Sequence, residues 1–204
     1  MVATPIMSVL ELLRRPFRSG EAETLRGLTV DEPLDLSDLQ LPNLDFTGSV
    51  FNAPVTARGA RFQGLAWFNG VTFNAAVDFS RATFRNDANF KAARFGGSVT
   101  CSGAEFSGVA CFDGATFEKA AFLNKMTCFG SLSLDRARFA GPASFQDTEC
   151  FGGLWGNRTA FGSRVDMQGV EVHGRTWLVG ATTPDDGGAA RLASAIRSYG
   201  YCWL

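Results

Sequence analysis

A rule of alternating five- and six-residue steps runs through the chain from Phe62 to Leu178 and limits what the chain can fold into. These steps reach 22 positions, of which 13 are Phe and none is charged. Two residues before each position is a second uncharged column, which begins at Ala60, while the residue between the two columns varies freely. This inside, outside, inside alternation predicts one short β-strand in every unit.

Glycine stands two residues after the apolar centre in twelve of the 22 units, as at Gly64, Gly70 and Gly103. A corner with positive φ favours Gly, so each unit is predicted to be a three-residue strand followed by such a turn. Because a unit this short cannot bury its own apolar face, the units must stack and enclose one continuous interior. The sequence therefore predicts an all-β solenoid.

The units resemble those of the pentapeptide-repeat proteins, in which Ala, a polar residue and Leu or Phe precede two variable residues. Examples are Ala60-Arg61-Phe62, Ala82-Thr83-Phe84 and Ala104-Glu105-Phe106. The resemblance covers residues 34–180 and implies a right-handed, four-sided (quadrilateral) β-helix with one unit on each side. Since every second unit here has six residues, one turn would contain 22 residues rather than 20.

The chain divides into three predicted segments: an N-terminal helical cap and lead-in (1–33), the β-helix (34–180), and a linker, short helix and aromatic tail (181–204). Ser8 and Glu11 form a predicted capping box, and Pro16 ends the helix that follows it. The C-terminal helix is predicted to lie on the aromatic surface of the last turns, which is described below, or across the open end of the coil. The first repeats have five-residue steps, with these centres: Leu36, Leu41, Phe46, Phe51 and Thr56.

Composition indicates one soluble domain, with 204 residues, 46% of them hydrophobic, and 19 basic against 20 acidic side chains. Neither a secretory signal nor a membrane-length apolar run is evident, so we expect a cytoplasmic protein. Three of the five cysteines occupy inward centres and are interpreted as small hydrophobic residues in a reducing compartment. Of these, Cys128 and Cys150 are 22 residues apart and would stack within disulfide distance.

If one turn contains 22 residues, side chains 22 apart form columns along the coil. The interior would then hold a ladder of rings: Phe51, Phe73, Phe95, Phe117, Phe139 and Phe161. Two outer columns would flank one corner, where the last turns carry large aromatic groups that face water. Such groups indicate that something covers them, so we predict five partner-binding residues: Phe129, Phe151, Trp155, His173 and Trp177.

The last six residues concentrate aromatic and oxidisable side chains at the C-terminal end. If this tail is extended, Tyr199, Tyr201 and Trp203 share one face. The tail resembles the modified core segments of precursors of ribosomally made peptide natural products. Two interpretations stay open: an apolar tail packed against the coil, or a substrate with four side chains that an enzyme could modify, namely Tyr199, Tyr201, Cys202 and Trp203.

No catalytic constellation is evident in the sequence. The one histidine, His173, has neither Glu nor His at helical metal-ligand spacing. Outward acidic residues are scattered, and the glycines fall at corners rather than in a phosphate-binding loop before a helix. We therefore predict a non-enzymatic protein with no catalytic residue, metal or cofactor.

Three functions remain open. The first is a rigid scaffold that binds a protein partner through the aromatic corner and the C-terminal segment. The second is a carrier, or peptide precursor, whose tail is modified by a partner enzyme docked on the coil; residues 1–180 alone would still bind that enzyme. The third is implied by the resemblance, since some pentapeptide-repeat proteins mimic DNA and protect the type II topoisomerase DNA gyrase.

Charge weighs against the DNA-mimic interpretation and against direct nucleic-acid binding. A duplex carries about one negative charge per ~1.7 Å, so a mimic needs a strongly negative rod. This chain places bases such as Arg58, Arg61 and Arg85 on outward positions. The sequence leaves the oligomeric state open, including an end-to-end dimer.

Overall fold

The chain forms a parallel β-solenoid of about eight turns with four faces in a computed structural model that describes residues 6–15, 18, 20, 22–185 and 187–204. The predicted fold class is thereby confirmed. Each face is one parallel sheet, and the chain visits faces 1, 2, 3 and 4 in order during each turn. We call the corner between faces 4 and 1 the aromatic corner.

The strands are short because each side of the coil is only a few residues wide.
Face 1 contains nine strands: β1 Ala22–Thr24, β5 Asn43–Asp45, β9 Ala66–Trp67, β13 Ala88–Asn89, β17 Ala110–Cys111, β21 Ser131–Ser133, β25 Gly153–Trp155, β29 Arg175–Trp177 and β31 Cys202–Trp203.
Face 2 contains seven: β2 Thr29–Val30, β6 Val50–Phe51, β10 Thr72–Phe73, β14 Arg94–Phe95, β18 Thr116–Phe117, β22 Arg138–Phe139 and β26 Ala160–Phe161.
Face 3 contains seven: β3 Leu34–Asp35, β7 Val55–Thr56, β11 Val77–Asp78, β15 Val99–Thr100, β19 Ala121–Phe122, β23 Ala143–Ser144 and β27 Val165–Asp166.
Face 4 contains eight: β4 Gln40–Leu41, β8 Arg61–Phe62, β12 Thr83–Phe84, β16 Glu105–Phe106, β20 Thr127–Cys128, β24 Glu149–Cys150, β28 Val170–Val172 and β30 Ile196–Ser198.

The register between turns follows the sequence spacing. Phe73 pairs with Phe95, so one turn of the main coil contains 22 residues. The coil already includes β1 and β2, which precede the expected start at residue 34. The predicted centre at Thr56 is wrong by one residue, because the fully buried side chain there is Ala57.

Stacked phenylalanine rings fill the interior, and the predicted ladder is confirmed. The rings of Phe95, Phe117 and Phe139 are nearly parallel, with centroid distances of 4.8 and 4.4 Å. These distances match the ~4.8 Å separation of paired strands, so each ring lies on the ring of the turn below. These three residues are 0 to 1% exposed, so their rings are completely shielded from solvent.

Two kinds of corner alternate along the coil. After the centres on faces 1 and 3, the second residue has positive φ, for example +61° at Gly70 and +56° at Lys125. After the centres on faces 2 and 4, Gly does not have positive φ. There, the lack of a side chain lets successive turns approach closely: a Cβ on Gly97 would lie 2.3 Å from the carbonyl carbon of Ala75. The prediction of positive φ is therefore correct for one kind of corner and wrong for the other.

Within the described part of the chain, two short helices lie outside the repeats. Helix α1, Ile6–Leu13, buries Val9 and Leu13 in the core, but it begins before Ser8, so the predicted capping box is wrong. Helix α2, Gly188–Ala195, lies at the end of the coil, where Leu192 is buried in the core and lines a groove together with Val165 and Met167. Pro16 and Asp186, which belong to the predicted helix stop and linker, lie outside the described residues. No helix in the described ranges has the length and apolar character that a membrane span requires.

All five cysteines are free thiols, so the stacked pair Cys128 and Cys150 is not bridged. Burial raises the pKa of the Cys101 thiol to about 12, and the charge of Asp78 adds to the shift. The pKa of Cys128 is also raised, first by its hydrogen bond with Cys150 and then by burial. The raised pKa values and the burial of Cys101 and Cys128 together make these two thiols unreactive in the folded protein.

A thiol-labelling experiment should separate the tail cysteine from the inward cysteines. With a maleimide at pH 8, Cys202 should react in the native protein because it is exposed. Cys101, Cys128 and Cys150 should react only when denaturant unfolds the coil, because the reagent needs an accessible thiolate. Mass mapping of the labelled peptides over time would check this order. Labelling of Cys128 as fast as Cys202 in native buffer would contradict it.

Candidate functional site: the aromatic corner

An outer ladder of four rings runs along the face 4 side of the aromatic corner. Phe129, Phe151, His173 and Tyr199 stack on successive turns, with centroid distances of 5.4, 4.7 and 4.8 Å and interplanar angles of 10° or less. Phe129 and Phe151 are 50% and 41% exposed. The ladder therefore presents ring edges to solvent, because neighbouring rings cover the ring faces.

A second column, on the face 1 side, is made of three tryptophans. Trp155 and Trp177 meet edge to face at a centroid distance of 4.1 Å, and Trp177 and Trp203 do so at 5.2 Å. The guanidinium carbon of Arg175 lies 5.9 Å from the centre of the Trp203 ring, within cation–π range. These alternating orientations contrast with the parallel rings on the other side of the corner.

Glycines allow the chain to turn tightly between the two columns. A Cβ on Gly174 would lie 2.0 Å from the carbonyl oxygen of Gly152, and a Cβ on Gly200 would lie 2.2 Å from that of Gly174. No side chain fits such an approach, so Gly is required at these two positions. The backbone at this corner is in close contact with the turns above and below it, and this contact holds the two aromatic columns in place.

The C-terminal tail is the last rung of this corner. Strand β30 pairs with β28 and strand β31 with β29, so Tyr199 is placed on His173 and Trp203 on Trp177. The chain turns at Gly200, so the tail is not one extended segment; Tyr199 stacks on His173, while the rings of Tyr201 and Trp203 lie 5.8 Å apart. Tyr201 projects outward and is 76% exposed, and Cys202 is exposed as well.

The sequence contains a recurring motif that predicts the position of the tail, but a search for residues spaced 22 apart does not find it. An aromatic ring, Gly, two residues and Trp recur in three segments: Phe151–Trp155, His173–Trp177 and Tyr199–Trp203. The first two begin 22 residues apart, but the third begins 26 residues after the second, because the intervening turn includes α2. The five predicted residues are therefore brought together as expected, and the tail adds Tyr199 and Trp203 to them.

Charged side chains border the ladder on face 4. His173 Nε2 lies 2.8 Å from a Glu149 oxygen, Arg197 donates to Glu171 at 2.9 Å, and the Tyr199 hydroxyl is 3.3 Å from Glu171. Glu149, Glu171 and His173 place potential ligand atoms within 4.8 Å of one another. Each of these groups already has a protein partner, so cross-strand pairing accounts for the cluster.

Comparison with known proteins agrees with the repeat geometry. The family model described as pentapeptide repeats (9 copies) matches residues 40–82 and 72–113. No curated protein matches the chain. The matched residues cover turns in the first half of the coil, and the same 22-residue pairing continues without a break to Trp155 and Trp177. Residues 40–113 are thereby shown to consist of pentapeptide repeats.

Proposed function

We propose that the protein is a non-enzymatic binding scaffold whose aromatic corner and C-terminal segment dock a protein partner. The observation that supports this proposal is the concentration of exposed rings in the last turns. Aromatic side chains with little conformational freedom are favoured as binding anchors, because fixing them costs little entropy. The coil holds these rings on paired strands, so the surface is organised before the partner arrives.

The position of the tail favours a scaffold over a substrate carrier. Residues 196–198 and 202–203 are paired as strands, and an enzyme that modified Tyr199 or Trp203 would act on rings already stacked on the coil. The outward bases favour a scaffold over a DNA mimic, because Arg61 and Arg85 interrupt any negative surface. The carrier and gyrase-protecting roles gain no comparable support.

Replacing rings at the aromatic corner should weaken partner binding without unfolding the coil. The variant Phe151→Ser/Trp177→Ser introduces residues that the same columns already contain, Ser107 and Ser133. Partner recovered with the wild-type bait should then bind the purified variant at least about tenfold more weakly, as expected for loss of two anchors. Quantitative affinity purification, followed by titration of the identified partner, would measure this.

The matched control is Trp67→Ser, because Trp67 lies in the same face 1 column, is 36% exposed, and is several turns from the aromatic corner. It should bind the partner as the wild type does. Circular dichroism should show the same thermal transition for both variants. Equal binding by the wild type and the Phe151→Ser/Trp177→Ser variant would contradict the proposed function.

A further inference from the structure

Two arginines occupy left-handed backbone positions on the corner between faces 1 and 2. Arg136 and Arg158 have φ of +58° and +56°, whereas the same position is Gly114 one turn below and Gly180 one turn above, with φ of +64° and +71°. This conformation is unstrained for Gly and strained for a residue with a Cβ. Non-Gly residues have positive φ elsewhere in the coil as well, for example Ala92 two turns below on this corner, so the distinguishing feature here is the pair of arginines on successive turns.

The two guanidinium groups are like charges on adjacent turns. Arg136 and Arg158 are 22 residues apart, so their backbones lie one strand spacing (~4.8 Å) from each other. Among the described residues, no ion pair includes either of them. Like charges directly opposite each other are destabilising unless an anion neutralises them.

The nearby carboxylates are engaged with the turns themselves. Asp135 accepts the backbone N–H of Asn157 at 2.8 Å, and Asp113 accepts the backbone N–H of Asp135 at 3.2 Å and the Ser133 hydroxyl at 2.5 Å. They form a ladder of hydrogen bonds between successive corners. The two carboxylates therefore accept hydrogen bonds from the neighbouring turn. The three cationic side chains at this place, Lys91, Arg136 and Arg158, outnumber them.

A groove of about 590 Å³ lies beside this corner, and we call it the basic groove. Its charged lining consists of Lys91, Arg136 and Arg158 against Asp113 and Asp135. Arg158 leans over the next corner, where its Cγ is 3.4 Å from the point that a Cβ on Gly180 would occupy. The absence of a side chain at Gly180 leaves room for the arginine at the end of the groove.

We propose that the basic groove binds an anion of the phosphate class, held between the guanidinium groups of Arg136 and Arg158. Arginine suits this ligand because its planar fork donates two parallel hydrogen bonds to phosphate oxygens. An anion that bridges two adjacent turns would also relieve the repulsion between the two cations. This site is on a different corner from the aromatic surface and does not depend on the scaffold function.

Calorimetric titration of the full-length protein with pyrophosphate, in buffer without other phosphate, tests the site. The wild type should bind one equivalent saturably. The variant Arg136→Gly/Arg158→Gly should bind at least about tenfold more weakly, because it lacks both charge-assisted contacts. Its melting temperature without ligand should be no lower than that of the wild type, since Gly fits positive φ without strain.

The matched control is Arg81→Gly, which removes the same charge from the same backbone conformation on the corner between faces 3 and 4, where φ is +57°. This control should bind pyrophosphate as tightly as the wild type. The proposal would be overturned by wild-type protein that shows no saturable binding. It would also be overturned if the double variant bound as tightly as the wild type, or if Arg81→Gly weakened binding to the same extent.

Discussion

Replacing Phe117 by Ala is expected to lower the free energy of unfolding by about 3–5 kcal/mol. Phe117 is 1% exposed and lies between the rings of Phe95 and Phe139, so truncation leaves a cavity in the middle of the ladder. Stacked backbones on both sides prevent the coil from closing over that cavity. Equilibrium unfolding in urea, followed by circular dichroism, would measure the loss.

The control for this prediction is Phe122→Ala, which deletes the same atoms from a ring that is 48% exposed on face 3. This change should alter the free energy of unfolding by less than about 1 kcal/mol, because little buried area and no cavity are involved. Similar losses for the two variants would show that the interior ladder contributes no more to stability than a surface ring.

Replacing Gly130 by Ala is expected to lower the free energy of unfolding by about 3 kcal/mol, at the upper end of the range for overpacking. The added Cβ would lie 2.3 Å from the carbonyl oxygen of Gly108 and 2.5 Å from its carbonyl carbon. Gly108 lies in the short corner between the paired strands β16 and β17, so its backbone cannot move aside as a side chain can. Urea unfolding would measure the loss, and hydrogen exchange should show faster opening of the turns at residues 108–110 and 130–132.

Gly114→Ala separates this steric effect from the loss of glycine's conformational freedom. Gly114 has φ of +64°, and a Cβ there would meet no atom within 4 Å. Its replacement should cost about 1 kcal/mol, and Ala92 already occupies the equivalent position one turn earlier with φ of +55°. A larger loss at Gly114 than at Gly130 would contradict the proposed difference between the two kinds of corner.

The repeat spacing predicts the fold because one interaction recurs in every turn. The uncharged residue at each centre, most often Phe, must point inward, and a 22-residue turn then fixes which side chains are neighbours, as with Phe151 and His173. The same arithmetic places Trp155 beside Trp177. Column counting is reliable here since parallel strands in register repeat the same environment on every turn.

The spacing does not predict two features of the structure: the position of the tail, where the period changes, and the two different roles of the corner glycines. Tyr199 and Trp203 return to register only after a helix has lengthened the turn, so a fixed period places them outside the coil. Gly70 and Gly108 look alike in sequence, although the first supplies positive φ and the second supplies space against the neighbouring turn. Distinguishing the two requires the contacts between turns, which no single repeat reveals.

The last turn shows that the coil can accept an excursion of the chain. From Val170 to Ile196 the turn takes 26 residues, with helix α2 in place of a strand on face 3, yet pairing resumes on faces 4 and 1. This turn therefore accommodates four residues more than the 22 of the main coil, because pairing fixes only its two ends. Such a loop is a natural grafting point, where a foreign domain could be carried beside the aromatic corner without interrupting it.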